Sequence, residues 1–190
     1  MLEIIKLDNE LLRQVSEPVK EVNDEIRTLI SEMFETMDAA EGVGLAAPQV
    51  GKLLRLFVLQ ADDGIRRAFI NPQIIATSAE TCEYEEGCLS IPKAYETIVR
   101  PAKVTVQALN ENGKPFTLEA DGFLARIIQH EYDHLDGFLY IDRGDEETKQ
   151  RIIETFNRRQ ARKAEKERLK AKSTEEAIAN TMKVLKGAYS

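Results

Sequence analysis

Residues 127–137, IIQHEYDHLDG, hold both histidines of this 190-residue chain. His130 and His134 are four positions apart, and a glutamate directly follows the first of them. Upstream, Asp121 is typical of the residue that caps a helix, and Gly137 is typical of the residue that ends one. We therefore expect a helix that extends almost to the end of this stretch and presents both imidazoles on one face.

Two imidazoles at positions i and i+4 of a helix can bind one metal ion, with the intervening glutamate beside the open coordination position. A pair of ordinary hydrogen-bonded histidines is the simpler alternative, but H-E-x-x-H arises by chance in roughly one chain in a hundred or fewer. We interpret His130 and His134 as metal ligands. Catalytic sites of this kind usually have a third protein ligand, and Glu154, Cys82 and Cys88 are the candidates. The spacing alone leaves that choice open.

The composition is that of a folded protein, since 43% of the residues are hydrophobic and 31% are charged. No apolar run approaches the roughly 20 residues of a membrane span, and the beginning MLEIIKLDNE lacks the zones of a signal peptide. Two cysteines without an export signal favour thiol chemistry or metal ligation over a disulfide. We expect a cytoplasmic protein with a catalytic domain at 1–146 and a charged helical extension at 147–190 that is not an independent domain.

The segments before the histidine helix predict one further helix and several strands. From Asn23, apolar residues recur at helical spacing until about Gly42. Branched and aromatic residues in partly alternating order then indicate strands. These strand segments are 53–60, 67–72, 74–86 and 96–110, and the hairpin turn ENGK follows at 111–114. We predict an α+β fold with antiparallel or mixed sheets packed around a central metal-binding helix, and with a helical extension at the C-terminus.

The formal net charge of −7 argues against general binding to nucleic acid, and we expect no specific binding to DNA. The exception is segment 149–172, which holds ten basic and three acidic residues and so carries a charge of 10 − 3 = +7. Such a segment is either the solvated face of a helix or a surface that binds RNA. The charge alone does not choose between them.

Three blocks of sequence occur in order: GVGLAAPQ at 42–49, EGCLS at 86–90 and QHEYDHLDG at 129–137. In these blocks the chain resembles the bacterial peptide deformylases, which remove the formyl group from the N-terminal formylmethionine of new polypeptides. The resemblance implies a metal-dependent hydrolase whose substrates are N-formylmethionyl peptides. The ribosome, where these substrates emerge, is then a candidate partner of the basic helix at 149–172.

In this family the metal ligands match Cys88, His130 and His134, and the catalytic acid and base matches Glu131. The resemblance thereby selects the thiol of Cys88 over the other two candidates for the third ligand. The implied metal is Fe²⁺, and Ni²⁺, Co²⁺ or Zn²⁺ can occupy the site in a preparation. By their softness alone, two imidazoles and a thiolate would favour zinc.

The implied mechanism is attack of a metal-bound hydroxide on the formyl carbon. Glu131 accepts the proton of the bound water and later protonates the departing amine. The side-chain amide of Gln49 and the backbone N–H of Leu89 stabilise the oxyanion, and each contributes roughly 3 kcal/mol. The resemblance also implies a set of substrate-binding residues: Val43, Gly44, Glu86, Gly87, Tyr95, Phe123 and Ile127.

Tyr95 is a departure from the family, because many relatives have an arginine there that helps to hold the substrate backbone. Two rival functions also predict different observations. A zinc endopeptidase would use Glu154 as its third ligand, so substitution of Cys88 would leave metal binding intact. A non-catalytic module with a closed structural site would need Cys82 as a fourth ligand and would leave Glu131 without a role.

Overall fold

A computed structural model of the chain describes the backbone of residues 1–188 and the side chains of that range except those of residues 180 and 183–188. In this part the helices are α1 (Asp24–Ala39), α2 (Gly122–Leu135) and α3 (Glu146–Ala188). The strands are β1 (Gly44–Ala46), β2 (Leu56–Gln60), β3 (Arg66–Thr77), β4 (Thr81–Cys88), β5 (Ile91–Pro101), β6 (Lys103–Leu109) and β7 (Pro115–Asp121). Short 3-10 helices lie at Glu10–Arg13, Ala47–Val50 and Tyr140–Asp142. None of the described helices is long and apolar enough to cross a membrane.

The strands form two antiparallel sheets. The larger sheet has the order β1-β2-β3-β6-β7, and β4 pairs only with β5 among the described strands. The predicted α+β fold, with antiparallel sheets and a helix at the C-terminus, is confirmed. The predicted histidine helix is α2, and the helix expected from Asn23 is α1, where the Asn23 side chain accepts a hydrogen bond from the N–H of Ile26.

The core lies on both faces of the larger sheet. Successive side chains of a strand point to opposite faces, and all but the last residue of β2 is buried. Leu56 and Val58 pack in the cluster that includes Met33 of α1. Phe57 points to the other face and packs in the cluster that includes Ile128 of α2. Burial on two faces holds α2 against the sheet, so the imidazole-bearing helix has a fixed position.

The predicted strand boundaries are wrong in three places. A break is expected at residue 73, between the segments 67–72 and 74–86, but β3 continues through Pro72 and Gln73. The ladder to β6 shifts register between Ile70 and Gln73, so the proline, which has no N–H to donate, lies in an irregularity of the strand. The segment 74–86 is divided between β3 and β4, and the segment 96–110 is divided between β5 and β6, which belong to different sheets.

The chain forms two compact units, residues 1–150 and residues 151–190. The described part of the second unit belongs to α3, and the side chains of residues 161–179 are all exposed. The sequence analysis predicts a domain boundary at residue 146 and an extension that is not an independent domain. Both stay predictions.

Candidate active site

Three groups that can bind a metal converge in the first unit. Cys88 ends β4, whereas His130 and His134 lie one helical turn apart on α2. One ligand atom from each residue lies within 4.8 Å of the other two. The Sγ atom of Cys88 lies 3.4 Å from Nε2 of His134, and the two imidazole centroids are 5.2 Å apart. A thiolate with two neutral imidazoles is a donor set that fits a divalent transition metal.

The cluster found among the described residues does not include the other two candidates for the third ligand. The Sγ atom of Cys82 accepts a hydrogen bond from Arg126 at 3.3 Å, and the backbone carbonyl of Cys82 accepts another from the same guanidinium at 2.8 Å. Glu154 belongs to the second compact unit and is exposed. Among the described residues the structure therefore brings together the three side chains that the family resemblance implies.

Glu86 orients the first histidine of the cluster. Its Oε2 atom lies 2.8 Å from Nδ1 of His130. A carboxylate in this position accepts the Nδ1 proton, so Nε2 is the nitrogen left to face the thiol of Cys88. Glu86 and Cys88 lie two residues apart on β4, and both contact histidines of α2, although the ladder to β5 shifts register between Gly87 and Cys88.

The carboxylate of Glu86 also receives two guanidinium groups. Arg100 of β5 donates to it at 2.6 and 3.0 Å, and Arg126 of α2 donates at 2.8 Å. All three charged side chains are buried. The side chain of Glu86 is thus engaged by His130, Arg100 and Arg126. Its predicted contact with substrate stays a prediction.

The ion network extends to a second carboxylate. Arg100 donates to Asp133 at 2.7 Å, and the partly exposed Arg143 donates to the same carboxylate at 3.1 and 2.5 Å. Asp133 lies on α2 between the two histidines and is buried. Pairing of this kind offsets the cost of removing the charges from water. The network links β4, β5 and α2 directly behind the metal-binding cluster.

Burial and charge move the pKa values of the site in different directions. Burial raises the pKa of Glu86, but hydrogen bonds from His130 and Arg100 outweigh it and hold the pKa well below the usual value. Burial lowers the pKa of His130, but hydrogen bonds with Cys88 and Glu86 outweigh it and raise the pKa. For His134, burial and the neighbouring positive charge both lower the pKa. The second imidazole is therefore neutral at physiological pH, as a metal ligand must be.

Glu131 is the buried carboxylate beside this cluster. Its Oε2 atom has no hydrogen-bond partner among the described residues. Burial raises the pKa of Glu131 to about 7; the positive charge of His130 opposes the rise, and the negative charge of Glu86 adds to it. Gly44 of β1 approaches it closely, because a Cβ atom at that position would lie 2.4 Å from Oε1 of Glu131. A residue without a side chain is thus required opposite the carboxylate.

Gln49 presents its side-chain amide to the cluster. Its Oε1 atom accepts a hydrogen bond from the N–H of Ala46 at 2.8 Å, which fixes which end of the amide carries the NH₂ group. The Nε2 atom donates to Sγ of Cys88 at 3.4 Å and to Oγ of Ser90 at 3.2 Å. This buried amide therefore has a single defined orientation, and its donors point toward the thiol.

A cavity of about 620 Å³ opens onto the cluster. It is lined by all the residues that the sequence predicts to bind substrate or to stabilise an oxyanion: Val43, Gly44, Gln49, Glu86, Gly87, Leu89, Tyr95, Phe123 and Ile127. Tyr95 is exposed, and a Cβ atom at Gly87 would lie 2.7 Å from its ring, so the tyrosine packs on bare backbone. The cavity is large enough for several residues of an extended peptide.

Sequence reasoning misses the residues that support the cluster. Alternation along β4 could have indicated the role of Glu86, since it precedes Cys88 by two positions. The sequence around Arg100 and Arg126 gives no comparable indication, because the carboxylates that they contact lie on other strands or helices. Ser90 and Lys6, which contact Gln49 and Leu89, are likewise not predicted.

Comparison with known families and proteins agrees with this geometry. The family described as polypeptide deformylase matches residues 1–150. The chain is 54% identical over 155 residues to the peptide deformylase of Treponema pallidum strain Nichols, an alignment that covers 82% of this chain and 95% of that protein. It is 46% identical over 164 residues to the peptide deformylase of Borreliella burgdorferi, with 86% of this chain and 99% of that protein covered.

Solved structures show the same fold. The structure of a peptide deformylase from Legionella pneumophila superposes with a TM-score of 0.81 at 40% identity and covers 86% of this chain and 98% of that one. The structure of the peptide deformylase from Ehrlichia chaffeensis in complex with actinonin superposes with a TM-score of 0.81 at 37% identity, with 84% and 97% covered. The similarity includes the whole part of the chain that carries the candidate site.

Proposed function

The chain belongs to the peptide deformylase family, and we propose that this enzyme removes the formyl group from the N-terminal N-formylmethionine of nascent polypeptides and releases formate. One observation carries the proposal. The thiol of Cys88 and the imidazoles of His130 and His134 meet within 4.8 Å at the wall of a cavity that the carboxylate of Glu131 also lines. These are the parts that metal-assisted hydrolysis of an amide requires.

The three ligands would hold Fe²⁺, and Ni²⁺, Co²⁺ or Zn²⁺ can replace it in a preparation. When bound, the ion lowers the pKa of a water molecule and polarises the formyl carbonyl. The softness of the thiolate suits all these ions, so the choice of iron rests on the family resemblance. The hydrogen bond from Nδ1 of His130 to Glu86 supports the assignment, because a second carboxylate commonly orients a metal-binding imidazole in this way.

Glu131 is the proposed general base and general acid. Its Oε2 atom has no hydrogen-bond partner among the described residues, so the carboxylate can accept a proton from the attacking water. The same group can then deliver that proton to the departing amine. Burial also excludes bulk water from the carboxylate and leaves it poorly solvated, which favours proton uptake at the start of the reaction.

Gln49 and Leu89 are the proposed oxyanion stabilisers. The amide of Gln49 is held by the N–H of Ala46, and its NH₂ group, which contacts Cys88 and Ser90, is the proposed donor to the oxygen of the reacting carbonyl. Leu89 follows the Cys88 ligand and lines the same cavity, and its backbone N–H is the second proposed donor. Donors that need no rearrangement lower the barrier most, since they are already aligned when the charge develops.

The substrate is proposed to lie along the cavity as an extended strand beside Val43 and Gly44. Phe123 and Ile127 line the cavity on the α2 side and offer apolar surface for the methionine side chain. Gly87 and Tyr95, which pair between β4 and β5, also line the cavity. A formyl group carries only a hydrogen on its carbon, so a site with little space around the metal admits it and rejects an internal peptide carbonyl.

The ribosome is a proposed partner of the basic segment 149–172, and the cytoplasm is the proposed location, since nascent formylated chains emerge there. All side chains between residues 161 and 172 are exposed, which leaves their charges accessible to RNA. Deletion of residues 149–190 is expected to reduce co-sedimentation with ribosomes at low salt. Unchanged binding would remove this proposal without affecting the deformylation chemistry.

Release of formate tests the proposed reaction. Anaerobically prepared protein is incubated with a formyl-Met-Ala-Ser peptide, and formate is measured enzymatically. The wild type is expected to release formate, and Glu131→Ala is expected to lose at least about 100-fold in rate while it keeps its metal. Formate release that does not depend on Glu131 would contradict the mechanism.

Metal analysis distinguishes the rival endopeptidase. Cys88→Ala is expected to lose the metal, whereas Glu154→Gln is expected to keep it. The opposite pattern, together with cleavage of internal peptide bonds, would favour the endopeptidase.

A further inference from the structure

Residues 5–7 connect the two turns that carry the proposed oxyanion stabilisers. The N–H of Ile5 donates to the backbone carbonyl of Gln49 at 2.9 Å. The N–H of Leu7 donates to the backbone carbonyl of Ser90 at 3.0 Å. A short extended segment near the N-terminus therefore joins the turn that contains Gln49 to the turn that follows the Cys88 ligand.

Lys6 adds a side-chain contact between these two backbone links. Its ammonium group donates to the backbone carbonyl of Leu89 at 2.8 Å. A hydrogen bond from a charged donor is about twice as strong as one between neutral groups, and partial burial of this contact reduces its screening by water. Backbone N–H groups are available to almost any sequence, so this is the one link of the three that depends on a particular side chain.

Lys6 also belongs to the wall of the cavity that the proposed reaction uses. Lys6 lines this cavity together with Gln49, Leu89 and Glu131. The amide of Gln49 contacts Oγ of Ser90, so the two turns touch each other directly on the inner side. The lysine binds the turn at Leu89 to the N-terminal segment, and Ile5 of the same segment binds the turn at Gln49.

We infer that Lys6 is a positioning residue for the proposed deformylation. By fixing the carbonyl of Leu89, it holds the N–H of Leu89 and the amide of Gln49 at a constant spacing around the oxygen of the reacting carbonyl. Its positive charge on this wall also favours the oxyanion. The inference rests on the proposed function, because it assigns a purpose to the spacing of the two donors.

The test compares full-length, metal-loaded Lys6→Met with the wild type, and Lys20→Met at an exposed lysine is the control. The kcat for formate release is expected to fall about tenfold in Lys6→Met, since small displacements of oxyanion donors cost one to two orders of magnitude in rate. KM, metal content and the midpoint of urea unfolding are expected to stay at the wild-type values. Lys6→Arg, which keeps the charge and a donor, is expected to recover most of the rate.

A second measurement does not depend on activity. In the metal-free protein, hydrogen exchange at the backbone amides of Leu89 and Ser90 is expected to be several times faster in Lys6→Met and unchanged in Lys20→Met. Unchanged exchange, an unchanged kcat, or a loss of rate that follows metal content or unfolding midpoint would overturn the inference. If the wild type releases no formate, the proposed function fails, and the exchange data alone decide whether Lys6 fixes the turn.

Discussion

The Oε2 atom of Glu86 lies 2.8 Å from Nδ1 of His130, and this pair connects the metal-binding cluster to a buried ion network. On the far side of Glu86, Arg100 and Arg126 donate to the same carboxylate. Arg100 also reaches Asp133, which lies one position before His134 on α2. The orientation of one ligand and the packing of α2 against β4 and β5 therefore depend on the same group of charges.

Substitution of Glu86 by glutamine tests this dependence. Glutamine has the same shape but no charge, so two guanidinium groups lose their buried anion and His130 loses the charged acceptor that orients its ring. We expect the free energy of unfolding to fall by about 3–5 kcal/mol, as when one partner of a buried ion pair is removed. We expect metal affinity to fall about 10–100-fold, as for other residues that orient a ligand. Urea unfolding and competition with a chelator measure the two effects.

Glu83→Gln is the matched control, because Glu83 is an exposed glutamate on the same strand. It is expected to change neither the free energy of unfolding nor the free energy of metal binding by more than about 0.5 kcal/mol. Equal effects of the two substitutions would mean that the charge of Glu86 is not used by the network.

A double substitution tests whether the two carboxylates act through Arg100. Asp133→Asn removes the second anion that this guanidinium contacts. The effects of substitutions within one ion network on the free energy of unfolding are not additive. We expect the loss in the double variant to differ from the sum of the losses in Glu86→Gln and Asp133→Asn by about 0.5–3 kcal/mol. The free energies of unfolding of the wild type, both single variants and the double variant give this coupling. A coupling energy of zero would mean that Glu86 and Asp133 contribute to stability independently of each other.

These contacts mark the limit of what the sequence predicts. The spacing of His130 and His134 on α2 is visible in the sequence, because helical periodicity is a local property. Arg100 and Asp133 are 33 positions apart in the sequence, and their contact depends on the packing of β5 against α2. The irregularity in β3 at Pro72 was missed for the same reason, since it arises in the pairing with β6. Local pattern predicted the two histidine ligands, the family resemblance supplied Cys88, and only tertiary packing places the groups that orient them.

The pH dependence of stability is expected to include a contribution from Asp142. Burial raises the pKa of this carboxyl, but hydrogen bonds from the N–H of Leu139, Lys149 and Arg13 outweigh it and lower the pKa below 3.8. A group with a lowered folded-state pKa stabilises the protein above its unfolded pKa, and this contribution is lost as the pH falls through the folded-state pKa. Asp142→Asn is therefore expected to lose about 1 kcal/mol of unfolding free energy at neutral pH, since the ion pairs are partly exposed.

The difference between Asp142→Asn and the wild type is expected to narrow as the pH falls below about 3.8, where the carboxyl of the unfolded chain is protonated. Urea unfolding at several pH values measures it. Asp8→Asn, at an exposed aspartate, is the control and is expected to show a small difference at every pH. A difference for Asp142→Asn that stays constant down to strongly acidic pH would contradict the assigned pKa direction.

Gly44→Ala is expected to separate catalysis from metal binding. A Cβ atom at Gly44 would lie 2.4 Å from Oε1 of Glu131 and 2.9 Å from a methyl group of Ile127, so the carboxylate must move away from its present position or β1 must shift. None of the three metal ligands is touched, so metal content is expected to stay at the wild-type level. A displaced base costs roughly 100-fold in rate, and we expect that loss in kcat for formate release.

Gly144→Ala is the control, because a Cβ there comes no closer than 3.4 Å to its neighbours. Wild-type kcat in Gly44→Ala would mean that the carboxylate works equally well from another position, and the proposed role of its present geometry would be wrong.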